Sequence, residues 1–372
     1  MAGNRHKRKV EQLLEGTDIR INGGRPWDIQ VTDERFYRRV LTEGSLGLGE
    51  SYMNGWWECP RIDEMITRIL KAGLDRKVMA RVLAFDLLGA FLINLQSRSR
   101  AWIVGKKHYD IGNDLYERML DKLLTYSCGY WKEARTLDEA QEAKLDLVAR
   151  KLGLQAGMRV LDIGCGWGGA AKFMAERYNC EVVGVTVSQR QVEYARELCK
   201  GLPVEIRLQD YRELDDKFHR IFSIGMFEHV GVRNYRTYME VVRNLLSEEG
   251  LFLLHTIGGN RSVRATDPWI HRYIFPNGML PSVKQVATAS EELFVMEDWH
   301  NFGAHYDTTL MHWYENFENA WPELGEKYGE RFRRMWRFYL LSCAGGFRAR
   351  KNQLWQVVLS PNGVAGGYES IR

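Results

Sequence analysis

Residues Val160-Leu161-Asp162-Ile163-Gly164-Cys165-Gly166-Trp167-Gly168-Gly169 carry an apolar run straight into a glycine-rich turn, and a helix-forming segment follows at once. A strand that ends this way brings bare backbone to the start of a helix, where a Cβ would block close approach of a ligand. The downstream pattern fits the same plan. Strands are read at Met158 to Ile163, Cys180 to Thr186, Val204 to Leu208, Arg220 to Gly225 and Leu251 to Thr256. Helices are read at Gly168 to Tyr178, Ser188 to Cys199 and Asn234 to Leu246, with Ser188 as an N-cap. Phe294 to Trp299 and Trp355 to Leu359 add two further strands. Such alternation implies a parallel sheet covered by helices on both faces, with ligands at the carboxyl ends of the strands near the point where strand order reverses.

The glycine run is not the dinucleotide fingerprint, because no GxGxxG with the expected following acid appears. It matches the S-adenosylmethionine motif of Rossmann-like methyltransferases. The expected fold class is therefore α/β, a Rossmann-like class I methyltransferase with a mostly parallel seven-stranded sheet, plus a small N-terminal helical domain. The expected divisions are a mainly helical, lipid-docking domain over 1–97, a basic linker over 98–111 and a catalytic domain over 112–372. Phe36 to Leu41 and Ile62 to Leu70 have helical apolar spacing, and the glycines of Gly44 to Glu50 predict a loop. Tyr52, Trp56 and Trp57 either plug a core or form an interfacial belt. Val78 to Leu95 has the length of an amphipathic helix, docked on its own domain or lying in a bilayer interface.

With a net charge of only +4, bulk electrostatics do not demand nucleic acid. Local clusters matter more. Arg5-His6-Lys7-Arg8-Lys9 and the stretch from Arg98 to Lys107 are basic, and are either solvated faces or sites of attraction to an anionic surface. Cys59, Cys128, Cys165, Cys180, Cys199 and Cys343 show no CxxC and no metal spacing, which suits free thiols in a reducing compartment. The N-terminus has no apolar signal region, and the longest apolar run, Val82 to Leu95, is broken by Asp86 and too short to span a bilayer. A cytoplasmic protein that touches a membrane without crossing it is expected.

Each strand end offers chemistry to one crevice. Asp162 either accepts hydrogen bonds from a ligand ammonium or satisfies loop amides, and Gly164 and Gly166 cradle the ligand through backbone groups. After the second strand, Thr186 and Gln191 stand where many adenosyl-binding proteins place an acid on the ribose. After the third, Gln209 or Asp210 is placed to meet an adenine amino group and Tyr211 to stack on the ring. Glu228 follows the fourth strand, where a carboxylate at an apolar pocket is costly unless paired or functional. His255 ends the fifth, as a structural histidine or a partner of Glu228. Tyr126-Ser127-Cys128-Gly129-Tyr130-Trp131 is too aromatic for an ordinary linker and reads as a lid over the cofactor.

These pieces, in their order, resemble the cyclopropane-fatty-acyl-phospholipid synthase family, which also includes the mycolic acid cyclopropane synthases. The matching segments include Gly44 to Glu58, His108 to Asp114, Tyr126 to Trp131, Val160 to Gly169, Gly225 to Gly231, Leu253 to Gly258, Tyr273 to Gly278 and Tyr306 to Leu310. The resemblance runs from about residue 20 to the C-terminus, and the aromatic N-terminal piece points to the phospholipid branch. It implies transfer of a methylene carbon from S-adenosylmethionine to a cis double bond in a phospholipid acyl chain. Methyl transfer leaves a carbocation, so the pocket must be dry, and aromatic faces can stabilise the cation. Tyr130, Phe275, Tyr306 and Phe347 are candidates for that.

The residues alone nominate Glu228 as the base that closes the ring. The resemblance implies bound bicarbonate in that role, held by backbone amides of Cys128 and Ile257, by side-chain donors of His255 and Tyr306, and by Glu228 accepting the bicarbonate hydroxyl. It further implies that Tyr126 and Ser127 close over the methionine end of the cofactor, Gly164 and Gly166 pack under it, Thr186 and Gln191 hold the ribose, Asp210 and Tyr211 flank adenine, and Tyr109 covers the far side. No metal site is expected. Implied partners are unsaturated phospholipid and an anionic membrane surface at the cytoplasmic face, with no nucleic acid and a homodimer as a candidate assembly. Three rival readings are a C-methyltransferase that leaves a methyl branch on the acyl group, a nucleic-acid methyltransferase using its basic linker, and a non-catalytic lipid-binding protein.

Overall fold

The computed structural model describes residues 2–75, 112–263 and 265–372. The expected helix over Val78 to Leu95, the basic stretch 98–111 and Tyr109 lie outside these residues. The described residues before 76 pack with 266–276 and 310–352 as one compact unit, and 112–263, 277–309 and 353–372 form a second.

In the first unit a two-stranded antiparallel ribbon, β1 (Gln30–Val31) with β2 (Trp57–Glu58), joins helices Arg35–Glu43, Ser45–Met53 and Ile62–Lys71. Its core is aromatic. Trp57, Tyr52, Trp269, Trp336 and Phe338 are buried, with Trp269 and Phe338 rings edge-to-face at 4.7 Å. Tyr52 and Trp57 therefore plug a core. Trp56 is partly exposed and lies beneath the Arg35 guanidinium, 4.5 Å from ring centroid to carbon.

The loop expected over Gly44 to Glu50 is a correction, because Ser45–Met53 is a helix. Its glycines serve close packing. A Cβ on Gly49 would stand 2.3 Å from the Trp269 ring, and one on Gly47 would stand 2.4 Å from the Arg39 carbonyl oxygen. The linear boundary at residue 112 also differs from the packing, since 266–276 and 310–352 join the N-terminal helices.

The second unit is built on seven strands: β3 (Arg159–Ile163), β4 (Glu181–Thr186), β5 (Val204–Leu208), β6 (Phe218–Ile224), β7 (Leu246–Gly259), β8 (Val295–Asn301) and β9 (Asn352–Ser360). Their order is β5-β4-β3-β6-β7-β9-β8. The first five are mutually parallel, and β8 runs antiparallel to β9. Strand order reverses between β3 and β6, which places the ligand crevice at their carboxyl ends. Side chains alternate between two buried faces, as a covered parallel sheet requires. Val160, Val182, Phe222 and Leu253 pack with Leu145, Val148 and Met174 on one side. Leu161, Val183, Ile221 and Phe252 pack with Tyr238, Met239 and Val242 on the other.

Local signals set the helices. Thr136 and Glu139 form a capping box at the start of Leu137–Lys151, and the Ser188 hydroxyl accepts the Gln191 amide to open Gln189–Leu198. β7 starts at Leu246, five residues before the expected Leu251, through a register shift against β6 between Phe218 and Arg220.

Candidate active site

The turn after β3 is held open by conformation. Gly164, Gly166 and Gly168 have φ of 88°, 54° and 87°, values that side-chain-bearing residues avoid. The amides of Gly164 and Cys165 both donate to the Val185 carbonyl, which fastens the turn to β4. A Cβ on Gly164 would meet Met226 at 2.7 Å, whereas one on Gly166 would have no neighbour within 4 Å. Gly166 thus presents bare backbone to open space.

Asp162 is buried at the end of β3, and burial pushes its carboxyl up to about 8 against the pull of Lys144. Its Oδ2 has no hydrogen-bond partner. A buried unsatisfied carboxylate oxygen beside open glycine backbone fits a cofactor that brings an ammonium group.

Thr186 and Gln191 come together as expected, with the Thr186 hydroxyl donating to Gln191 Oε1 at 2.8 Å. The Asp210 carboxylate accepts the Arg212 amide and two guanidinium bonds, at 3.0, 2.8 and 2.5 Å. Tyr211 packs edge-on against Tyr238 at 5.2 Å, with the Arg212 guanidinium 5.5 Å from its ring. Arg212 was absent from the expected site; a cation two residues after an acid gave no warning of a bidentate pair. Gln209 donates its side-chain amide to the Glu213 carbonyl at 3.0 Å.

The lid segment is anchored from two sides. Tyr126 meets Tyr116 edge-to-face at 5.3 Å. The Gly129 amide and the Trp131 indole both donate to the Thr309 hydroxyl, at 3.1 and 2.9 Å. The Cys128 thiol is fully buried and pushed far above its usual range by burial, so it is not a ready nucleophile. Ser127 is buried, and its hydroxyl accepts a 2.9 Å bond from the ammonium of Lys144.

Glu228 and His255 sit at neighbouring strand ends, where Ile224 of β6 pairs with His255 of β7. Burial pushes the Glu228 carboxyl up to about 7, opposed by the Ile257 amide, which donates to Oε1 at 2.6 Å. That amide, expected to face an ion directly, is held by Glu228 in this structure. His255 is buried and driven well below its usual value by desolvation, so the ring is neutral. Its Nδ1 lies 3.3 Å from Gln356 Nε2. In this orientation of the Gln356 amide the nitrogen donates and Nδ1 accepts, which assigns the ring proton to Nε2. His255 Nε2 and Glu228 Oε2 are both buried without hydrogen-bond partners.

Tyr306 is buried on the first turn of Ala304–Tyr328. Tyr130 lies 5.3 Å from both Phe302 and His305, and Phe302 lies 5.9 Å from His255, so an aromatic cluster borders the histidine. Phe275 and Phe347 belong to the other compact unit.

Lys144 and Gln356 were missed from sequence. Lys144 carried a signal, since it falls on the stripe Ala140, Gln141, Lys144, Val148, Lys151 of its helix, where apolar residues belong. Gln356 interrupts the apolar run from Leu354 to Leu359 and carried little beyond its polarity.

Residues 96–357 match the family described as mycolic acid cyclopropane synthetase. The chain belongs to this family. It is 58% identical over 366 residues to the cyclopropane-fatty-acyl-phospholipid synthase of Escherichia coli K12, covering 98% of this chain and 96% of that one. A probable fatty acid methyltransferase of Pseudomonas putida is 39% identical, covering 71% and 70%. Among solved structures, the cyclopropane synthase MmaA2 from Mycobacterium tuberculosis has a TM-score of 0.65 at 31% identity, covering 69% of this chain and 97% of that one. The mycolic acid cyclopropane synthase CmaA1, complexed with SAH and CTAB, has a TM-score of 0.64 at 33% identity, with the same coverage. The enzyme is an S-adenosylmethionine-dependent methyltransferase, and its reaction is methylene transfer to an unsaturated lipid.

Proposed function

We propose that the enzyme builds a cyclopropane ring on the cis double bond of a phospholipid acyl chain, with bicarbonate held between Glu228 and His255. The observation that carries this reading is the pair of buried, unpartnered atoms at adjoining strand ends, one a donor and one an acceptor. An ion that both accepts and donates answers both, and bicarbonate is such an ion.

When bound, S-adenosylmethionine supplies an electrophilic methyl group, and bicarbonate supplies a base for the proton lost on ring closure. The protein's own residues do the rest. His255 donates from Nε2. Glu228, once ionised, accepts the hydroxyl of the ion, while Tyr306 offers a phenol donor. The Tyr130, Phe302 and His305 rings keep the surroundings apolar, which denies water to a carbocation and offers π faces to it. Tyr126 and Ser127 close over the methionine end, above the backbone of Gly164 and Gly166.

Mass spectrometry of lipids after incubation tests the outcome. Ring closure adds one CH2 unit and removes the double bond. Two further hydrogens would mean a methyl branch and would favour the branching methyltransferase reading, which the Pseudomonas relative's name keeps in view.

Docking to an anionic bilayer belongs to the same proposal. Arg5, Arg8 and Lys9 are exposed on the helix Ala2–Leu14. Attraction of about 1 kcal/mol per basic residue near such a surface makes their combined replacement by Glu worth roughly a hundred-fold in vesicle affinity at low salt. Co-sedimentation with phosphatidylglycerol-containing vesicles reads this. Unchanged binding would remove the helix from the docking surface. Deleting residues 1–97 is a poor test, because Trp269, Trp336 and Phe338 share a compact unit with those helices and would lose their cover.

A further inference from the structure

Lys144 has no role in the chemistry above, yet it is fully buried and its ammonium is bonded to the lid segment. Its ammonium donates to Ser127 Oγ at 2.9 Å. One turn earlier on the same helix, Gln141 Nε2 donates to the carbonyls of Ser127 and Thr125, at 2.8 and 3.3 Å. The helix Leu137–Lys151 therefore grips the lid segment through two side chains. An ammonium cannot accept, so Ser127 must spend a lone pair on Lys144 and point its own O–H elsewhere.

The charges around Lys144 add a second constraint. Asp121 and Asp162 are both buried and both feel its positive charge. Asp121 is already satisfied, accepting the amides of Leu123 and Thr125 and the Thr125 hydroxyl. Asp162 has an oxygen with no partner, and the Lys144 charge draws its carboxyl down against the larger upward push of burial.

We propose that Lys144 is a positioning residue that prepares the methionine end of the cofactor site: it turns the Ser127 hydroxyl into a donor for the cofactor carboxylate, and its charge favours an ionised Asp162 to receive the cofactor ammonium. The inference rests on reading Ser127 and Asp162 as contacts of that end. Burial draws the Lys144 ammonium down to about 8, so its charge is lost as pH rises past that value. The other groups facing these two are quiet. The thiols of Cys128, Cys165 and Cys199 and the Tyr238 phenol are pushed up by burial and stay protonated, and His255 stays neutral. Affinity for the cofactor should then pass through a maximum near pH 8, rising as the Asp162 carboxyl, held up by burial, loses its proton and falling as Lys144 loses its own.

Calorimetric titration with S-adenosylhomocysteine, which keeps both the carboxylate and the ammonium, tests this from about pH 6 to about pH 9.5 with no need for turnover. Wild-type affinity should climb to about pH 8 and fall beyond it. Lys144→Met should bind at least ~30-fold more weakly near neutrality and have its climb displaced upward by about one pH unit or more, because the attraction that favours ionised Asp162 is gone. Lys144→Arg, which keeps the charge, should recover part of the affinity. Asp162→Asn should flatten the climb. A Lys144→Met enzyme weakened by one constant factor at every pH would leave Lys144 a merely structural residue and overturn the proposal. A pH-independent wild-type profile would overturn it without any variant. Failure of the wild type to bind S-adenosylhomocysteine at all would instead strike the cofactor reading beneath it.

Discussion

Glu228→Gln is expected to lower turnover roughly a thousand-fold while S-adenosylmethionine still binds with near-normal affinity. The substitution keeps shape and one carbonyl oxygen, which can go on accepting the Ile257 amide. What it removes is the ionised oxygen that accepts the hydroxyl of a bound bicarbonate, and it puts an N–H donor in the same reach. The damage should therefore appear in the bicarbonate dependence and in kcat, not in cofactor titration. The wild-type pH profile carries the same signature. Because burial holds the Glu228 carboxyl up at about 7, the group is protonated below that pH and ionised above it. An ionised Glu228 is the working form, so activity at fixed bicarbonate should rise as pH rises through about 7. His255 cannot account for such a limb, since burial keeps it neutral across that range. In Glu228→Gln the limb should vanish from the residual rate. Normal turnover by this variant would take Glu228 out of the catalytic account.

Gly166→Ala should abolish most cofactor binding while leaving the fold standing. At φ 54° an alanine costs about 1 kcal/mol in backbone strain. Its Cβ meets no protein atom within 4 Å, so packing adds nothing to that cost. The methyl group instead occupies the space offered to the cofactor. A loss of at least ~100-fold in S-adenosylhomocysteine affinity is expected, with a small fall in melting temperature. Gly164→Ala is the informative contrast. There the Cβ collides with Met226 at 2.7 Å, so stability and binding should fall together. Equal affinity of Gly166→Ala and wild type would mean that the open space at this turn is not the cofactor's.

What could be read in advance follows from how far each signal reaches along the chain. Strands β3 to β6 and their helices declare themselves through local period and caps, and their ends fall within a few residues of expectation. The glycines of Ser45–Met53 misled because a glycine demanded by a distant ring looks the same in sequence as one demanded by a turn. Only the Trp269 indole against Gly49 tells them apart. The grouping of 266–276 and 310–352 with the N-terminal helices depends on packing between segments far apart in sequence, which no local pattern records.

The site divides in the same way. Asp162, Gly164, Gly166, Glu228 and His255 announce themselves by standing at strand ends. Gln356 fixes the proton of His255 from 101 positions further along the chain. Lys144 was visible as a charge on an apolar stripe, but its partner Ser127 lies 17 positions away on a different kind of segment. A second lysine on that stripe, Lys151, is fully buried against Asp298 at 3.4 Å and His300 at 3.1 Å. A core-facing lysine therefore marks a buried charge without saying whether that charge serves structure or chemistry.

The most direct measurement follows a labelled methyl carbon of S-adenosylmethionine into vesicles of cis-unsaturated phospholipid, with dissolved bicarbonate either supplied or stripped out. Labelled cyclopropane acyl chains with bicarbonate, and a sharp loss of them without it, are the expected result. Labelled lipid that forms equally well in bicarbonate-free buffer would contradict the ion-assisted ring closure placed between Glu228 and His255.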